Sequence, residues 1–327
     1  MNAQTQFIKR PARRADWLGI RKGFVGGSDV AALLGLSPWK TPVDLYLDKT
    51  GRVPDEDEAS EAMRLGSYLE DYAARRYAEE TGRTVRNFGY MVAKGHAVAD
   101  IDRLVGDGDA LPAHHADIRT DTLLECKTAG AFWEDEPPLH YQTQVQLYME
   151  LTGCRFADFA VVFLAPRRDF RVYRVERDEK IGAALLDRIE AFWRDCVEAD
   201  TPPAAVNLAD ARALYPDASP DTPCTASADI ALKVQTLRAL LADIAEREGR
   251  ADALKGEIAA AMGEADTLRD EAGAKLATFK APKPSLATDW KAVSDACKGV
   301  PQFDEAVAAN TKPREASRRF LLCGGAK

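Results

Sequence analysis

The sequence lacks several features that would assign its class directly. It contains no run of about 18 apolar residues and no apolar signal segment near its start, so we expect neither a membrane span nor secretion. Its six cysteines form no C-x-x-C pair, which argues against a zinc site or a disulfide framework and is typical of a reducing compartment. We therefore expect a cytoplasmic protein.

A general excess of positive charge is also missing. The 327 residues carry a formal net charge of -8, with 46% hydrophobic and 29% charged residues. This composition is ordinary for a globular protein, and the length allows one large core or two modest domains. Because the chain is acidic, binding to a nucleic acid would require a local positive field inside a cleft or channel.

The most informative stretch runs from Asp102 to Lys127. Residues 122–128 form a short apolar run that predicts a strand, so Glu125 and Lys127 share one face while Cys126 points into the protein. Asp102 supplies a second carboxylate from the extended run 97–105. Two hard oxygen ligands suit Mg²⁺, and the backbone carbonyl of Cys126 is a candidate third ligand.

This constellation predicts phosphodiester hydrolysis. A divalent cation lowers the pKa of a bound water and clamps phosphate oxygens. Lys127 could orient the attacking water or neutralise the charge that develops in the transition state. The alternative is a strand with one solvated face and a surface ion pair.

Two other acids compete with Asp102. Asp107 and Asp109 lie in a Gly-Asp-Gly-Asp segment that could form an acidic site of its own. Asp102 is preferred because the apolar residues of 101–105 can hold it rigidly, whereas the glycines around 107 indicate a mobile turn.

A second candidate site lies near the start of the chain, at Gly26-Gly27-Ser28-Asp29. Flexible glycines, a Ser at the N-cap position and a following apolar run predict the beginning of a helix. Amide groups at such a position can bind an anion such as a terminal phosphate, and Arg21 could supply a forked partner. The alternative is a capped helix with no ligand.

Two further helices carry candidate site residues. The helix predicted over 59–81 places Glu70 beside an apolar stripe, from which it could reach inward as a ligand of the metal or of its neighbours. The helix predicted over 139–151 presents polar side chains that could bind phosphates or the ligand carboxylates. The stripe comprises Leu65, Leu69, Tyr72, Ala73 and Tyr77, and the polar side chains are Tyr141, Gln144 and Tyr148.

Composition divides the chain into three parts. Residues 1–202 form the predicted nuclease domain, 203–230 an Ala-, Asp- and Pro-rich linker, and 231–327 a helical, coiled-coil-like extension. Apolar residues at 3-4 spacing over 234–268 predict one long helix, able to pack on its own domain or on a neighbouring subunit. A strand is predicted at 275–280.

Six segments together resemble the lambda-exonuclease-like, YqaJ-type phage recombinase family of the PD-(D/E)xK nuclease superfamily. The resemblance spans about residues 18–200, and the motifs occur in the expected order. One position departs from the pattern, since Arg103 stands where many members have glycine. The matching residues are Gly26-Gly27-Ser28-Asp29, Leu36-Ser37-Pro38-Trp39-Lys40-Thr41-Pro42, Leu65-Gly66 with Leu69-Glu70, Ile101-Asp102-Arg103-Leu104-Val105, Leu124-Glu125-Cys126-Lys127-Thr128, and Tyr141 with Gln144 to Tyr148.

The resemblance implies a restriction-endonuclease-like α/β core, a central mixed sheet flanked by helices. It implies Mg²⁺-dependent hydrolysis, with Mn²⁺ as a substitute, of double-stranded DNA from 5′ ends, leaving 3′ single strands for an annealing protein. It also implies a ring-shaped homo-oligomer, and a phage or prophage gene expressed in the cytoplasm of a bacterial host. By position, the metal ligands are Asp102 and Glu125, the catalytic lysine is Lys127, the helical acid is Glu70, the 5′-phosphate pocket is Arg21 with Ser28, and the active-site helix contacts are Gln144 and Tyr148.

Two other functions stay open at this point. The same core could serve a structure- or sequence-specific DNA endonuclease. Alternatively, the protein could be a non-catalytic module that binds DNA ends or a partner, with the long C-terminal helix making the contacts.

Overall fold

The computed structural model describes residues 4–54, 60–106, 118–165, 168–218, 223–281 and 289–311. The chain forms two compact units that divide between Tyr215 and Pro216. The first part of the predicted linker therefore packs with the first unit, where the buried Asp210 accepts a hydrogen bond of 2.8 Å from Thr41 Oγ1. No helix in these described ranges combines the length and the apolar character needed to cross a membrane.

The first unit alternates strands and helices. Its strands are β1 (Gln6–Lys9), β2 (Val25–Gly26), β3 (Thr84–Arg86), β4 (Tyr90–Lys94), β5 (Ala97–Asp100), β6 (Arg103–Gly106), β7 (Thr122–Ala129), β8 (Phe156–Phe163) and β9 (Asp169–Glu176). Its helices are α1 (Arg14–Lys22), α2 (Gly27–Leu33), α3 (Pro42–Lys49), α4 (Glu61–Thr81), α5 (Leu139–Thr152), α6 (Glu179–Phe192) and α7 (Leu208–Leu214), with π-helical turns at Trp193–Glu198 continuing α6.

The strands form two sheets. The larger has the order β3-β6-β7-β8-β9, and only its β7–β8 pair is parallel, joined through α5. The smaller has the order β1-β4-β5-β2. Alternate residues of β7 enter different cores: Leu124 and Cys126 pack with α4, while Leu123 packs on the opposite face with α5. The predicted α/β architecture, a mixed sheet with helices on its faces, is confirmed.

Two extended segments, 84–93 and the predicted run 97–105, are each divided in two. The run 84–93 breaks into β3 and β4 around Gly89, whose φ of +73° requires the left-handed region. The run 97–105 breaks at Ile101–Asp102, because β5 belongs to the smaller sheet and β6 to the larger. Asp102 therefore lies where the chain passes from one sheet to the other.

The buried face of α4 also differs from the predicted stripe. Ala73 and Tyr77 are buried as expected, but Leu65 and Tyr72 are 44% and 45% exposed. The buried positions are Ala73, Ala74 and Tyr77, in the C-terminal half of the helix that packs on the sheet. Glu70 lies one turn before them, on the same side of the helix.

The second unit contains α8 (Ala228–Met262), the strands β10 (Thr267–Arg269) and β11 (Lys275–Thr278), and the helices α9 (Trp290–Ala296) and α10 (Pro301–Asn310). The extension is thus not purely helical, and β11 matches the strand predicted there. The long helix is shorter than its apolar pattern, because Gly263 with φ +53° ends it before Ala265 and Leu268.

Candidate active site

Two acids far apart in the chain meet at the edge of β7. Asp102 Oδ2 accepts a hydrogen bond of 2.8 Å from the backbone N–H of Cys126. This is possible because β6 pairs with β7 only as far as Arg103 and Leu124, so the next part of β7 has no strand on that side. Asp102 thereby stands beside Glu125, which is 3% exposed. We call Asp102 and Glu125 the acidic pair.

The predicted shared face of Glu125 and Lys127 is present. Lys127 Nζ donates to Glu125 Oε1 at 2.7 Å and to Gln144 Oε1 at 3.3 Å. Gln144 Nε2 donates to the same Glu125 oxygen at 2.6 Å and to the Tyr148 hydroxyl at 3.3 Å. The ring of Tyr141 lies 4.9 Å from the Lys127 ammonium. Strand β7 and helix α5 therefore hold these side chains as one hydrogen-bonded group.

Burial and neighbouring charges shift the pKa values of the ionisable side chains in this group. Burial, reinforced by the charge of Asp102, raises the pKa of Glu125 to about 8. Burial also raises the pKa of Asp102, against the opposing effect of Lys127. For Lys127, burial would lower the pKa, but Glu125 and Asp102 outweigh it and raise the pKa. Lys127 stays charged, while the two acids repel each other.

The donor set of the acidic pair fits a hard divalent cation. Glu125 Oε2 is buried and has no hydrogen-bond partner in the described part of the chain, although Oε1 has two. The N–H and C=O of one strand residue point to the same edge, so the Cys126 carbonyl faces the edge that Asp102 occupies. An unpaired carboxylate oxygen, a second carboxylate and a carbonyl are oxygen ligands that Mg²⁺ accepts.

Glu70 does not complete a three-acid group. The described residues contain no set of three or more His, Cys, Asp or Glu side chains placed to hold a metal. Glu70 is 38% exposed and lies 4.0 Å from Arg103 Nη1. Burial and the charge of Asp102 raise the pKa of Glu70 to about 7, so Glu70 interacts electrostatically with the acidic pair. The competitors Asp107 and Asp109 lie outside the described residues.

A separate ionic group lies beneath the start of α2. Arg21 Nη2 donates to Asp29 Oδ2 at 2.7 Å and to Ser28 Oγ at 3.2 Å. Lys49 Nζ, which is almost fully buried, donates to the same Asp29 oxygen at 3.1 Å and to the Arg21 carbonyl at 3.0 Å. We call Arg21, Asp29 and Lys49 the arginine cluster.

The electrostatics of this cluster are the reverse of those of the acidic pair. Burial would raise the pKa of Asp29, but Arg21 and Lys49 outweigh it and hold the pKa well below its usual range. The predicted N-cap is wrong: Gly26 is the N-cap, and its N–H donates to Asp29 at 3.1 Å. Ser28 lies in the first turn instead and reaches Arg21.

Sequence reasoning missed Asp29 and Lys49 as site residues. Asp29 had a usable signal, since an acid at the third helical position can accept the N–H of the N-cap residue. Lys49 had none, because its approach to Asp29 depends on how α3 packs. Gly27 was noted only for flexibility, yet a Cβ there would lie 2.5 Å from Tyr148 Cε1 and 2.6 Å from Gln144 Cγ. It allows α2 to approach α5.

The acidic pair and Arg21 of the arginine cluster line one cavity of about 890 Å³. Its walls combine the carboxylates of Asp102 and Glu125 with several arginines. Four arginines therefore lie around the cavity of the acidic pair despite the net negative charge of the chain. The arginines that line it are Arg10, Arg13, Arg14 and Arg21.

Comparison with known proteins relates part of this chain to a recombinase domain. Residues 16–155, which include every side chain of the acidic pair and the arginine cluster, match the model of the YqaJ-like viral recombinase domain. This part of the chain is similar to that domain. The Bacillus subtilis (strain 168) protein YqaJ, described as uncharacterized, is 33% identical to this chain over 199 residues. That match covers 58% of this chain and spans 59% of the length of the relative.

Two solved structures described as exonucleases share part of the fold. The alkaline exonuclease LHK-Exo from Laribacter hongkongensis is 25% identical, with a TM-score of 0.45 over 57% of this chain and 94% of that one. A phage-related exonuclease from Haemophilus somnus is 13% identical, with a TM-score of 0.39 over 54% of this chain and 95% of that one.

Proposed function

We propose that this protein is a Mg²⁺-dependent DNA exonuclease that digests double-stranded DNA from 5′ ends and leaves 3′ single strands for recombination. The observation that carries the proposal is the buried acidic pair in contact with the charged Lys127. The recombinase domain favours a DNA substrate.

Asp102 and Glu125 would hold Mg²⁺, or Mn²⁺ in its place, with the Cys126 carbonyl as the third protein ligand. When bound, such an ion supplies an activated water and neutralises charge on the phosphate. Burial raises the pKa of both carboxylates, and the charge of Asp102 raises that of Glu125 further. A cation beside them would stabilise their ionised forms, which favours cation binding at this site. Glu70 remains a candidate for orienting a water or an outer ligand.

The protein side chains position the reacting groups. Lys127, kept charged by its acidic neighbours, would donate to the attacking water or to a phosphate oxygen. Gln144 bonds both Lys127 and Glu125, so it fixes their separation. Tyr148, whose pKa burial and Glu125 raise well above its ordinary value, stays neutral and supports Gln144.

Arg21 and Ser28 would bind the 5′-phosphate. Both line the cavity that contains the acidic pair. The 5′-terminal phosphate of a DNA strand that is cleaved near Glu125 could therefore lie beside them. Asp29 orients the guanidinium towards Ser28, and a phosphate would add a second, charge-assisted partner for it.

Digestion of linear duplex DNA carrying 5′-phosphate or 5′-hydroxyl ends, with Mg²⁺ or with chelator, tests the proposal. We expect nucleotide release only with the metal and faster release from phosphorylated ends. Metal-independent release, or none from any end, would refute it. Covalently closed circular DNA should stay intact, and cutting of that substrate would indicate an endonuclease instead.

We also propose a homo-oligomer, a single-strand annealing protein as partner, and activity in the cytoplasm of a bacterial host. A ring that threads DNA would turn basic residues inward and acidic ones to solvent, which suits a chain of net charge -8. Apolar side chains such as Leu241, Ile244 and Leu254 are exposed along α8 and could pair in a coiled coil between subunits. A solution mass equal to one chain at working concentration would refute the oligomer.

A further inference from the structure

Trp39 is a large aromatic side chain left 69% exposed in the segment between α2 and α3. Its ring lies 5.1 Å from the His140 ring in a T-shaped arrangement at 89°, and 6.4 Å from the Tyr141 ring. These contacts with the first turn of α5 hold one side of the indole. The exposed fraction shows that much of the remaining ring surface faces solvent.

The position of Trp39 relates it to the candidate active site. Tyr141, its neighbour, also contacts the Lys127 ammonium, so the indole is two ring contacts away from that group. Trp39 lines a second cavity of about 530 Å³, which shares Arg14 and Arg21 with the cavity of the acidic pair. A ligand strand could therefore pass from the acidic pair, along Arg21, to Trp39.

The charges around Trp39 favour an anionic ligand with a flat apolar part. Lys40 follows it in the chain and lines the same cavity. The three carboxylates of that cavity are already engaged. Asp29 accepts from Arg21 and Lys49, Asp44 accepts the Thr41 N–H at 2.9 Å, and Asp48 lies 3.4 Å from Lys49 Nζ. An open indole face beside cations is the combination that binds a nucleobase and its phosphate.

We propose that Trp39 is a stacking platform for one unpaired nucleobase of the DNA strand whose phosphate lies at Glu125 and Lys127. The inference rests on the proposed nuclease function and adds a specificity to it. Inside a duplex both faces of a base are occupied by its neighbours, so only a frayed or single-stranded base can stack on the indole. The platform thus favours ends that have opened.

The test measures binding without cleavage, in chelator. The probe is a 5′-phosphorylated duplex with three unpaired 5′ nucleotides, one of them 2-aminopurine, whose fluorescence is quenched by stacking. We expect quenching by the unaltered protein and its loss in Trp39→Ala, with about ten-fold weaker binding. Trp39→Phe should keep most of both, because phenylalanine also offers a ring face.

Trp290→Ala is the matched control, since Trp290 is 74% exposed and belongs to the second unit. It should bind and quench as the unaltered protein does. Equal affinity and quenching in Trp39→Ala would overturn the platform while leaving the nuclease proposal in place. Failure of the unaltered protein to bind any DNA end would overturn both.

Discussion

The first unit buries two ionic groups, and they balance their charges in opposite ways. In the arginine cluster one carboxylate, Asp29, faces two cations and has its pKa pushed far down. In the acidic pair two carboxylates share one cation, Lys127, and the pKa of each is raised.

The comparison separates a completed ionic group from an incomplete one. In the arginine cluster Asp29 pairs with both cations, and Lys49 also lies 3.4 Å from Asp48, so removing Asp29 leaves buried positive charge uncompensated. The acidic pair lacks positive charge, and Glu125 Oε2 has no partner among the described residues. The first group should therefore stabilise the fold by itself, and the second should do so only with a bound cation.

The largest effect is expected from Asp29→Asn, which removes the carboxylate that Arg21 and Lys49 share and leaves Lys49 only Asp48, 3.4 Å away. Loss of one partner of a buried pair should lower the free energy of unfolding by about 3–5 kcal/mol. Denaturant unfolding measures it. Asp16→Asn, which breaks the exposed pair with Arg13, is the control and should change little. Equal free energies of unfolding in the two variants would show that the arginine cluster does not stabilise the fold in the way described.

Lys127→Ala should reduce nucleotide release about 100- to 1,000-fold, because a charged donor aimed at the reacting phosphate is lost. The initial rate of digestion of linear DNA measures it, and circular dichroism should show a folded protein. The control is Lys180→Ala, an exposed lysine at the start of α6. If Lys127→Ala digested DNA at the normal rate, Lys127 could not be the catalytic lysine.

These two variants also mark what the sequence could and could not predict. The pairing of Glu125 with Lys127 follows from the two-residue period of a strand, which is local. The meeting of Asp29 with Lys49 depends on how α2 and α3 pack, and no local pattern encodes it. The change of sheet at Asp102 is likewise a long-range event, so the chain there was predicted as one strand. The limits of α5 were predicted closely, because the capping Gly153 acts locally.

Glu125→Gln should remove the stabilisation that a divalent cation gives. At a metal concentration 100-fold above its dissociation constant, binding should raise the free energy of unfolding of the unaltered protein by about 3 kcal/mol. Thermal unfolding with Mg²⁺ and with chelator measures it. An equal gain in the variant would show that the cation binds elsewhere.

The pH dependence of the same pair of proteins sharpens this test. The pKa of Glu125 is raised to about 8 in the folded state. Between its ordinary pKa and about 8, the carboxyl group loses its proton in the unfolded protein but keeps it in the folded protein, so the free energy of unfolding falls as pH rises. In chelator, Glu125→Gln should therefore gain stability relative to the unaltered protein between pH 5 and pH 8. A constant difference over that range would contradict the buried-pair electrostatics.

The smallest effect is expected from Gly27→Ala. Its Cβ would lie within 2.6 Å of both Tyr148 and Gln144, so the two helices must separate, at a cost of about 1–3 kcal/mol. DNA digestion should fall as well, since Gln144 positions Glu125 and Lys127. Gly19→Ala is the control, because a Cβ there meets no atom within 4 Å and alanine favours the helix. Unchanged unfolding and activity in Gly27→Ala would show that the contact is loose.

The proposed cation site at Asp102 and Glu125 is short of positive charge in the protein alone. Titration of Mn²⁺ into the protein without DNA, followed by electron paramagnetic resonance of the free ion, tests this site most directly. We expect saturable binding by the unaltered protein that is lost in Glu125→Gln and in Asp102→Asn, and retained in Asp29→Asn wherever that variant is folded. Binding that survives both substitutions in the acidic pair, or no binding by the unaltered protein, would contradict it.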